Sequence, residues 1–356
     1  MAGPESTTFL SADSQGSLAF SLFETVTTLD HSRLHFRRFT LPNLVIDAWF
    51  SNVAYADLCT RNLAHGRISD IDRPADLTLY LLDSASMDWP RPPRWAEERF
   101  DRKAANNELS GIGLKGAYLH DPRVWQFFSE SRQTGVQLIR RPGAHPPWES
   151  GGTLRSFLHW AYALQGRRLC HCATLGLNGI GIVLVGAGGS GKSATTLAGI
   201  ASGLDTTGDD YCLIDQAETV TAYPLFRILK QDEPGVIRVL GSSATERFGP
   251  LNWQNKYEIH ESALPQSPFV DELDIRAIIV PRVAHFAKSI IRPVSAGHAM
   301  RSFAPSSTFQ LPDGEVEGIA FAGRLCRKLP CMEMLLSEES SEIAATIHNF
   351  LKHELS

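Results

Sequence analysis

The most informative stretch of this 356-residue chain is Ile182-Val183-Leu184-Val185-Gly186-Ala187-Gly188-Gly189-Ser190-Gly191-Lys192-Ser193. Four apolar residues lead into a glycine-rich loop that ends in Lys-Ser, and the whole fits the pattern GxxxxGK(S/T) at every required position. In such a loop the glycines let backbone N–H groups curl around a phosphate, and the N-terminus of the following helix adds positive potential. The stretch therefore predicts a strand over 180–185, a phosphate-binding loop and a helix over 192–202.

A nucleotide is the ligand that this pattern indicates. The motif lysine reaches the β- and γ-phosphates, and the hydroxyl group after it binds Mg²⁺. We therefore expect Lys192 to contact the phosphates and Ser193 to be a metal ligand. The residues expected to bind the nucleotide are Gly186, Gly188, Gly189, Ser190, Gly191, Lys192, Ser193 and Ala194.

Two adjacent carboxylates follow the motif, and the first of them, Asp209, stands seventeen residues after Lys192. Near a γ-phosphate, one carboxylate of the pair Asp209 and Asp210 can hold the metal while the other accepts a proton from an attacking hydroxyl. The same Gly-Asp-Asp run is also ordinary turn chemistry. Another acid, Asp215, ends the next apolar run and stands where most proteins with this loop place their metal-binding acid. The spacing favours the acid pair.

Alternating strand-like and helix-like segments surround the motif and predict a mixed α/β fold with a central sheet. An amphipathic repeat begins at Leu154, after a Pro- and Gly-containing break over 141–147. We therefore divide the chain into an N-terminal α+β region, 1–150, and a nucleotide-binding domain, 151–356. Within the domain, the predicted strands are 168–175, 180–185, 211–214, 219–223, 274–280 and 331–336, and the predicted helices include 192–202, 295–303 and 317–328.

The chain is mildly acidic, with 34 Lys and Arg residues against 39 Asp and Glu residues and a net charge of −5. This balance gives no global attraction to nucleic acid or to an anionic membrane, so neither is an expected partner. The first thirty residues contain no Lys or Arg, and the longest apolar run is far too short to span a bilayer. We therefore expect a cytoplasmic protein.

Three of the most suggestive candidates for a metal site are Cys170, His171 and Cys172. In a strand, however, the two cysteines face one way and the histidine faces the other, so the three cannot bind one ion together. Without an export signal a disulfide framework is not expected either. We therefore interpret the cysteines as buried thiols.

The central part of the chain resembles the HPr kinase/phosphorylase family, whose fold is similar to that of phosphoenolpyruvate carboxykinase. The residues that carry this resemblance are His171, the loop 186–193 and Gly208-Asp209-Asp210-Tyr211. Further blocks resemble the short HPr-kinase-like serine kinases of bacterial peptide-modification gene clusters, of which lasso peptide kinases are the best described. These blocks are Ala304-Pro305-Ser306-Ser307, Gln310-Leu311-Pro312 and Leu329-Pro330-Cys331.

The resemblance implies an ATP-dependent kinase that acts on a serine hydroxyl of a peptide or protein, such as a ribosomally made precursor peptide. It implies that Asp209 is the general base and that Asp210 binds Mg²⁺ together with Ser193, although the order within the acid pair could be reversed. His171 would lie near the phosphates, or it is simply a hydrogen-bonded strand histidine. Members of this fold often form rings or dimers, so a homo-oligomer is also implied. Additional phosphate-contacting cations are expected among Lys230, Lys256 and Arg282.

The stretch 222–230 lacks the glycines with which bacterial HPr kinases contact HPr and support dephosphorylation. HPr is therefore not the expected acceptor. Two other functions remain open at this point: a kinase of a small hydroxylated metabolite, and a regulator that senses ATP without transferring a phosphoryl group. Three tryptophans in proline-bearing loops either form a docking surface for an acceptor peptide or, as the favoured interpretation, cover an edge of the core: Trp89, Trp95 and Trp148.

Overall fold

The computed structural model describes residues 15–64, 73–87, 102–119, 124–142, 149, 151–308, 310–312 and 315–355. Trp89, Trp95 and Trp148 lie outside these residues. The chain forms two compact units: the first is Met1–Arg61 with His65–Leu164, and the second is Asn62–Ala64 with Gln165–Ser356. The residues that the structure describes contain no helix both long enough and apolar enough to cross a membrane.

The first unit is a six-stranded sheet in the order β1-β2-β3-β6-β5-β4, with β2, β3 and β6 parallel and the other neighbours antiparallel. Its strands are β1 (His35–Leu41), β2 (Leu44–Phe50), β3 (Leu77–Asp83), β4 (Lys115–Leu119), β5 (Val124–Ser129) and β6 (Thr134–Ile139). Its helices are α1 (Gln15–Thr27), α2 (Val53–Thr60), α3 (Ser84–Met87), α4 (Arg102–Gly111) and α5 (Arg155–Leu164).

Successive residues of a strand point to opposite sides of the sheet. In this sheet the side chains on both sides are largely apolar, so both faces can pack against helices. On one face, Tyr80 and Leu82 of β3 pack with Phe23 of α1. On the other face, α5 lies so close that a Cβ atom at Gly135 would come within 2.6 Å of the Phe157 ring. Burial of a side chain as large as Phe157 contributes about 1.5–3 kcal/mol, which fixes α5 in the first unit.

The second unit is built on an eight-stranded sheet, with a separate hairpin of β12 and β13. Its strands are β7 (Arg168–Cys170), β8 (Ala173–Leu177), β9 (Ile180–Leu184), β10 (Cys212–Asp215), β11 (Thr221–Pro224), β12 (Ile228–Asp232), β13 (Lys256–His260), β14 (Leu273–Phe286), β15 (Ile290–Pro293) and β16 (Cys331–Ser337). Its helices are α6 (Lys192–Ala201), α7 (Glu233–Leu240), α8 (Ala296–Thr308), α9 (Glu315–Lys328) and α10 (Ser340–His353).

The long strand β14 lies between β9 and β16 and runs parallel to both. Helices α6 and α10 pack on one face of these strands through a core that includes Leu184, Ile279 and Ile347. Helices α8 and α9 pack on the other face, where Phe303 and Phe321 are buried. The carboxyl ends of parallel strands meet at one edge of a sheet, which is where α/β proteins bind ligands. The loop 186–191, which connects β9 to α6, starts from this edge.

The mixed α/β prediction is confirmed, but one detail of the predicted segments is wrong. The single strand over 168–175 is interrupted, because a backbone bond from Cys172 N–H to the Cys170 carbonyl (3.0 Å) turns the chain at His171. The first compact unit extends to Leu164, because α5 packs on its sheet. The six cysteines are all free and buried, as expected.

Candidate functional site

The loop 186–191 has the backbone conformation that its glycines allow. Gly191, at the N-cap position of α6, has a φ of +99°, and Gly189 has a φ of +80°. A Cβ atom at Gly191 would also lie 2.4 Å from Leu336 Cδ1 on β16. No side chain of the described residues caps α6, so its first backbone N–H groups remain available to an anion.

Lys192 lies beneath this loop with only 8% of its surface exposed. Its ammonium group donates hydrogen bonds to the carbonyl oxygens of Gly186 and, at 3.3 Å, Ala187. Burial lowers the pKa of Lys192, and the carboxylates of Asp209 and Asp210 partly offset that effect. The cation that the motif requires is therefore within the loop and electrostatically coupled to the acid pair.

Ser193 and Asp209 meet directly below the start of α6. The Ser193 hydroxyl donates a hydrogen bond of 3.3 Å to Asp209 Oδ1, and the backbone N–H of Lys230 donates one of 3.3 Å to Asp209 Oδ2. Burial and the neighbouring charge of Asp210 raise the pKa of Asp209, while Lys192 and Lys256 act in the opposite direction. Asp209 is therefore a buried carboxyl group whose pKa is shifted toward the range of a general base.

Asp210 has the opposite electrostatics. Its Oδ2 accepts a bond of 2.8 Å from Lys230 Nζ, and its Oδ1 lies 3.0 Å from His171 Nε2. Burial alone would raise the pKa of Asp210, but Lys230 and His171 together lower it well below its usual range. Asp210 is therefore held as a carboxylate anion.

The hairpin of β12 and β13 brings two of the expected lysines to this site. In the antiparallel register Lys230 lies opposite Glu258, and Asp232 lies opposite Lys256. Side chains two positions apart share a face of a strand, so Lys230 and Lys256 are on the same face of the hairpin. The positive charge of Lys256 lowers the pKa of Asp209 and that of Lys192.

Arg282 and Asp215 are engaged elsewhere. The Arg282 guanidinium, 55% exposed, pairs with Glu333 at 3.1 Å, and no contact joins it to the acid pair among the residues described. Asp215, the alternative metal-binding acid, pairs with Arg167 at 2.8 Å. In the part of the chain that the structure describes, Arg282 and Asp215 therefore do not contact the candidate site. The residues that the structure brings together there are Lys192, Ser193, Asp209 and Asp210.

Residues distant in the sequence complete the surroundings of Asp210. The Ser307 hydroxyl bonds the backbone of His171, and the Tyr211 hydroxyl donates a bond of 2.7 Å to Gln310 Oε1. The rings of His171 and Tyr211 lie 5.4 Å apart, centroid to centroid. The sequence blocks 304–307 and 310–312 drew attention to this part of the chain, but no local pattern indicated these contacts.

The oxygen atoms of Ser193 and of the acid pair suit a hard cation that also binds phosphate. Ser193 supplies a hydroxyl oxygen, and the adjacent acid pair supplies carboxylate oxygens. Mg²⁺ is held in proteins by one or two carboxylates, with phosphate and water oxygens filling its other positions. The described residues contain no cluster of three or more His, Cys, Asp or Glu side chains able to hold a metal. The Ser190 hydroxyl oxygen, in the loop itself, is buried without a hydrogen-bond partner among the residues that the structure describes, as expected of a group placed to meet a ligand oxygen.

Comparisons with known proteins add a distant structural likeness. No protein-family model matches the chain, and no curated protein matches it. Among solved structures, the chain is similar to the HPr(Ser) kinase/phosphatase from Coxiella burnetii, with 11% identity and a TM-score of 0.28 over 53% of this chain and 96% of that chain. A TM-score of this size carries no argument about function, so the site is interpreted from its own geometry.

Proposed function

We propose that the protein is an ATP-dependent kinase that transfers the γ-phosphoryl group to a serine hydroxyl of a peptide or protein. The observation that carries this proposal is the contact between the motif and the acid pair. Ser193, which directly follows the motif lysine, donates a hydrogen bond to the buried carboxyl group of Asp209. A phosphate-binding loop alone would suffice to hold a nucleotide, whereas an adjacent acid pair that can supply both a base and a Mg²⁺ ligand is what phosphoryl transfer to a hydroxyl needs.

In the proposed reaction the serine oxygen attacks the γ-phosphorus and forms a new P–O bond. The bond between that phosphorus and the β,γ-bridging oxygen breaks, and ADP leaves with the electron pair. The proton of the serine hydroxyl passes to Asp209. Lys192 and the N–H groups at the start of α6 stabilise the negative charge on the phosphate oxygens.

Lys230 and Lys256 extend the positive charge around the acid pair. Lys230 holds Asp210 by an ion pair of 2.8 Å, and Lys256 is the cation that we assign to the phosphates. Transfer of a multiply charged group requires several cations, because charge builds on the equatorial oxygens and the leaving oxygen. His171 holds the other oxygen of Asp210, so its role in this scheme is to orient that carboxylate.

The two carboxylates divide the work according to their electrostatics. Asp209, with its raised pKa, is the proposed base, and Asp210, held ionised, is the proposed Mg²⁺ ligand together with Ser193. When bound, Mg²⁺ would neutralise phosphate charge next to the loop. The hydrogen bond between Ser193 and Asp209 supports the reverse order instead, and the Mg²⁺ dependence of Asp209→Asn and Asp210→Asn distinguishes the two.

The sequence blocks 304–307, 310–312 and 329–331 support a peptide acceptor, because they resemble the serine kinases of peptide-modification gene clusters. We therefore propose a ribosomally made precursor peptide of the lasso type as the substrate class.

The test is mass spectrometry of candidate acceptors after incubation with Mg²⁺, ATP and the purified protein. The panel contains a precursor peptide encoded beside the gene, HPr and free serine. We expect a mass gain of about 80 Da, one phosphoryl group, on a serine of the peptide, and none with Lys192→Ala. Phosphorylation of free serine alone would shift the proposal to a metabolite kinase. Tight ATP binding with no product on any acceptor would contradict the kinase proposal.

A further inference from the structure

The segment at the end of α8 contacts both neighbours of Asp210. The Ser307 hydroxyl accepts a hydrogen bond of 3.1 Å from the backbone N–H of His171 and lies 3.4 Å from its carbonyl oxygen. Gln310 Oε1 accepts a bond of 2.7 Å from the hydroxyl of Tyr211. His171 is the side chain that binds Asp210 Oδ1, and Tyr211 follows Asp210 in the chain. Two side chains of one segment therefore contact the residue that binds the Asp210 carboxylate and the residue that follows Asp210 in the chain.

Asp210 itself has a backbone conformation that needs such support. Its φ of +98° lies in the left-handed region, which side-chain-bearing residues rarely adopt. Conformations of this kind persist only where the surroundings fix them from several sides, and they are concentrated at functional sites. The ion pair with Lys230 fixes the Asp210 carboxylate from the β12 side. His171 contacts the other carboxylate oxygen, and Tyr211, which is bonded to Gln310, adjoins Asp210 in the chain.

We propose that Ser307 and Gln310 are positioning residues that hold Asp210, through His171 and Tyr211, in the orientation its role requires. The pair Ser307 and Gln310 is called the α8 clamp below. Among the described residues, neither Ser307 nor Gln310 contacts the loop 186–191. The clamp therefore acts on Asp210 and not directly on the nucleotide. This inference rests on the proposed function only where the effect of Mg²⁺ on nucleotide binding is measured. The orientation of Asp210 can be observed without any ligand.

A positioning role and a purely structural role have different consequences. Partners that orient a metal ligand typically change metal affinity or activity 10- to 100-fold when removed. A structural role would instead lower the melting temperature and leave the Mg²⁺ dependence of nucleotide binding unchanged. Gln310 is exposed, so truncating its side chain removes the bond to Tyr211 without opening a cavity.

The experiment compares crystal structures and nucleotide binding of Ser307→Ala, Gln310→Ala and the double variant. In the double variant we expect Asp210 to leave its positive φ and its 3.0 Å contact with His171 to open. Calorimetry with a non-hydrolysable ATP analogue should show that the enhancement of binding by Mg²⁺ falls about 10-fold or more. Affinity without Mg²⁺ should stay the same.

Ser302→Ala is the matched control, because the Ser302 hydroxyl group, within the described part of the chain, bonds the preceding turn of the same helix at His298 O and not the surroundings of Asp210. Should the double variant not fold, Tyr211→Phe removes the same bond to Gln310 and keeps the ring. An unchanged Asp210 and an unchanged Mg²⁺ enhancement in these variants would overturn the clamp, as would an equal effect of Ser302→Ala. If the wild-type protein binds no nucleotide, the proposed function fails, while the crystal structures still decide whether the clamp holds Asp210.

Discussion

Asp209 and Asp210 are adjacent in the chain, and their surroundings shift their pKa values in opposite directions. Burial and the charge of Asp210 raise the pKa of Asp209. Lys230 and His171 outweigh the burial of Asp210 and lower its pKa. Where two carboxyl groups are separated in this way, the one with the raised pKa suits proton transfer and the ionised one suits electrostatic work.

Replacing Asp209 tests this division at the level of a single residue. Asp209→Asn should retain nucleotide binding and lose turnover by about 10²-fold or more, because an amide cannot take the serine proton. In the wild-type protein, kcat/KM should fall as Asp209 becomes protonated, at a pH above the ordinary range for an aspartate, because its pKa is raised. Kinetics over a pH series measures both effects.

Asp215→Asn is the control for that measurement, since Asp215 pairs with Arg167 rather than with Ser193. It should be close to wild type in turnover. A fully active Asp209→Asn protein together with an inactive Asp215→Asn protein would show that the catalytic acid had been assigned to the wrong strand end.

At the level of elements, the junction of β9 and α6 depends on Gly191. A methyl group there meets Leu336 at 2.4 Å, and the φ of +99° is strained for any residue with a Cβ atom. Gly191→Ala should therefore lower the free energy of unfolding by roughly 1–3 kcal/mol from backbone strain, with a further loss if Leu336 cannot move. Chemical denaturation measures the change.

Gly188→Ala is the matched control in the same loop, because a Cβ atom there meets nothing within 4 Å. It should leave the stability within about 0.5 kcal/mol of wild type. Equal stabilities for the two variants would mean that the loop rearranges easily and that Leu336 does not restrict it.

The junction of β9 and α6 was predictable because its signal is local: an apolar run, a glycine loop and a helix start within about twenty residues. The hairpin of β12 and β13 and helix α7 were not predicted. Asp232 caps α7 by accepting a bond from the N–H of Gly235, and Pro234 lies in the first turn, which is a recognisable helix start. The pairing of Lys230 opposite Glu258 had no such signal, because it depends on how two distant segments meet.

At the scale of the whole molecule, some residues of the candidate site are predictable from the sequence, and others come together only through the fold. Lys192, Ser193 and the acid pair were found from motif and spacing. The Ser307 contact with His171 joins residues 136 positions apart, and the Gln310 contact with Tyr211 joins residues 99 apart. Contacts of this kind are set by the packing of α8 against the sheet, and no periodicity in either segment encodes them.

The carboxylates of the whole molecule also set its response to acid. Burial raises the pKa of Asp205 and Asp209. Among the described residues, five carboxyl groups have pKa values lowered by hydrogen bonds against the effect of burial: Asp30, Asp76, Asp210, Glu333 and Glu342. Neighbouring positive charge adds to this effect at all of them except Glu342. A lowered pKa means that the folded state binds fewer protons than the unfolded state, so the stability it provides is present above the ordinary pKa near 4 and is lost at lower pH.

We therefore expect the free energy of unfolding to fall between pH 5 and pH 2, with Asp205 and Asp209 opposing the trend. Each unit by which a pKa is lowered corresponds to about 1.4 kcal/mol. Asp210→Asn should flatten this dependence, because it removes the group that Lys230 and His171 hold ionised, and Asp271→Asn, at a side chain 98% exposed, should not. Urea denaturation over a pH series measures the slope. An Asp210→Asn protein with the wild-type slope would mean that Asp210 titrates alike in the folded and unfolded states, and that Lys230 and His171 do not hold its charge.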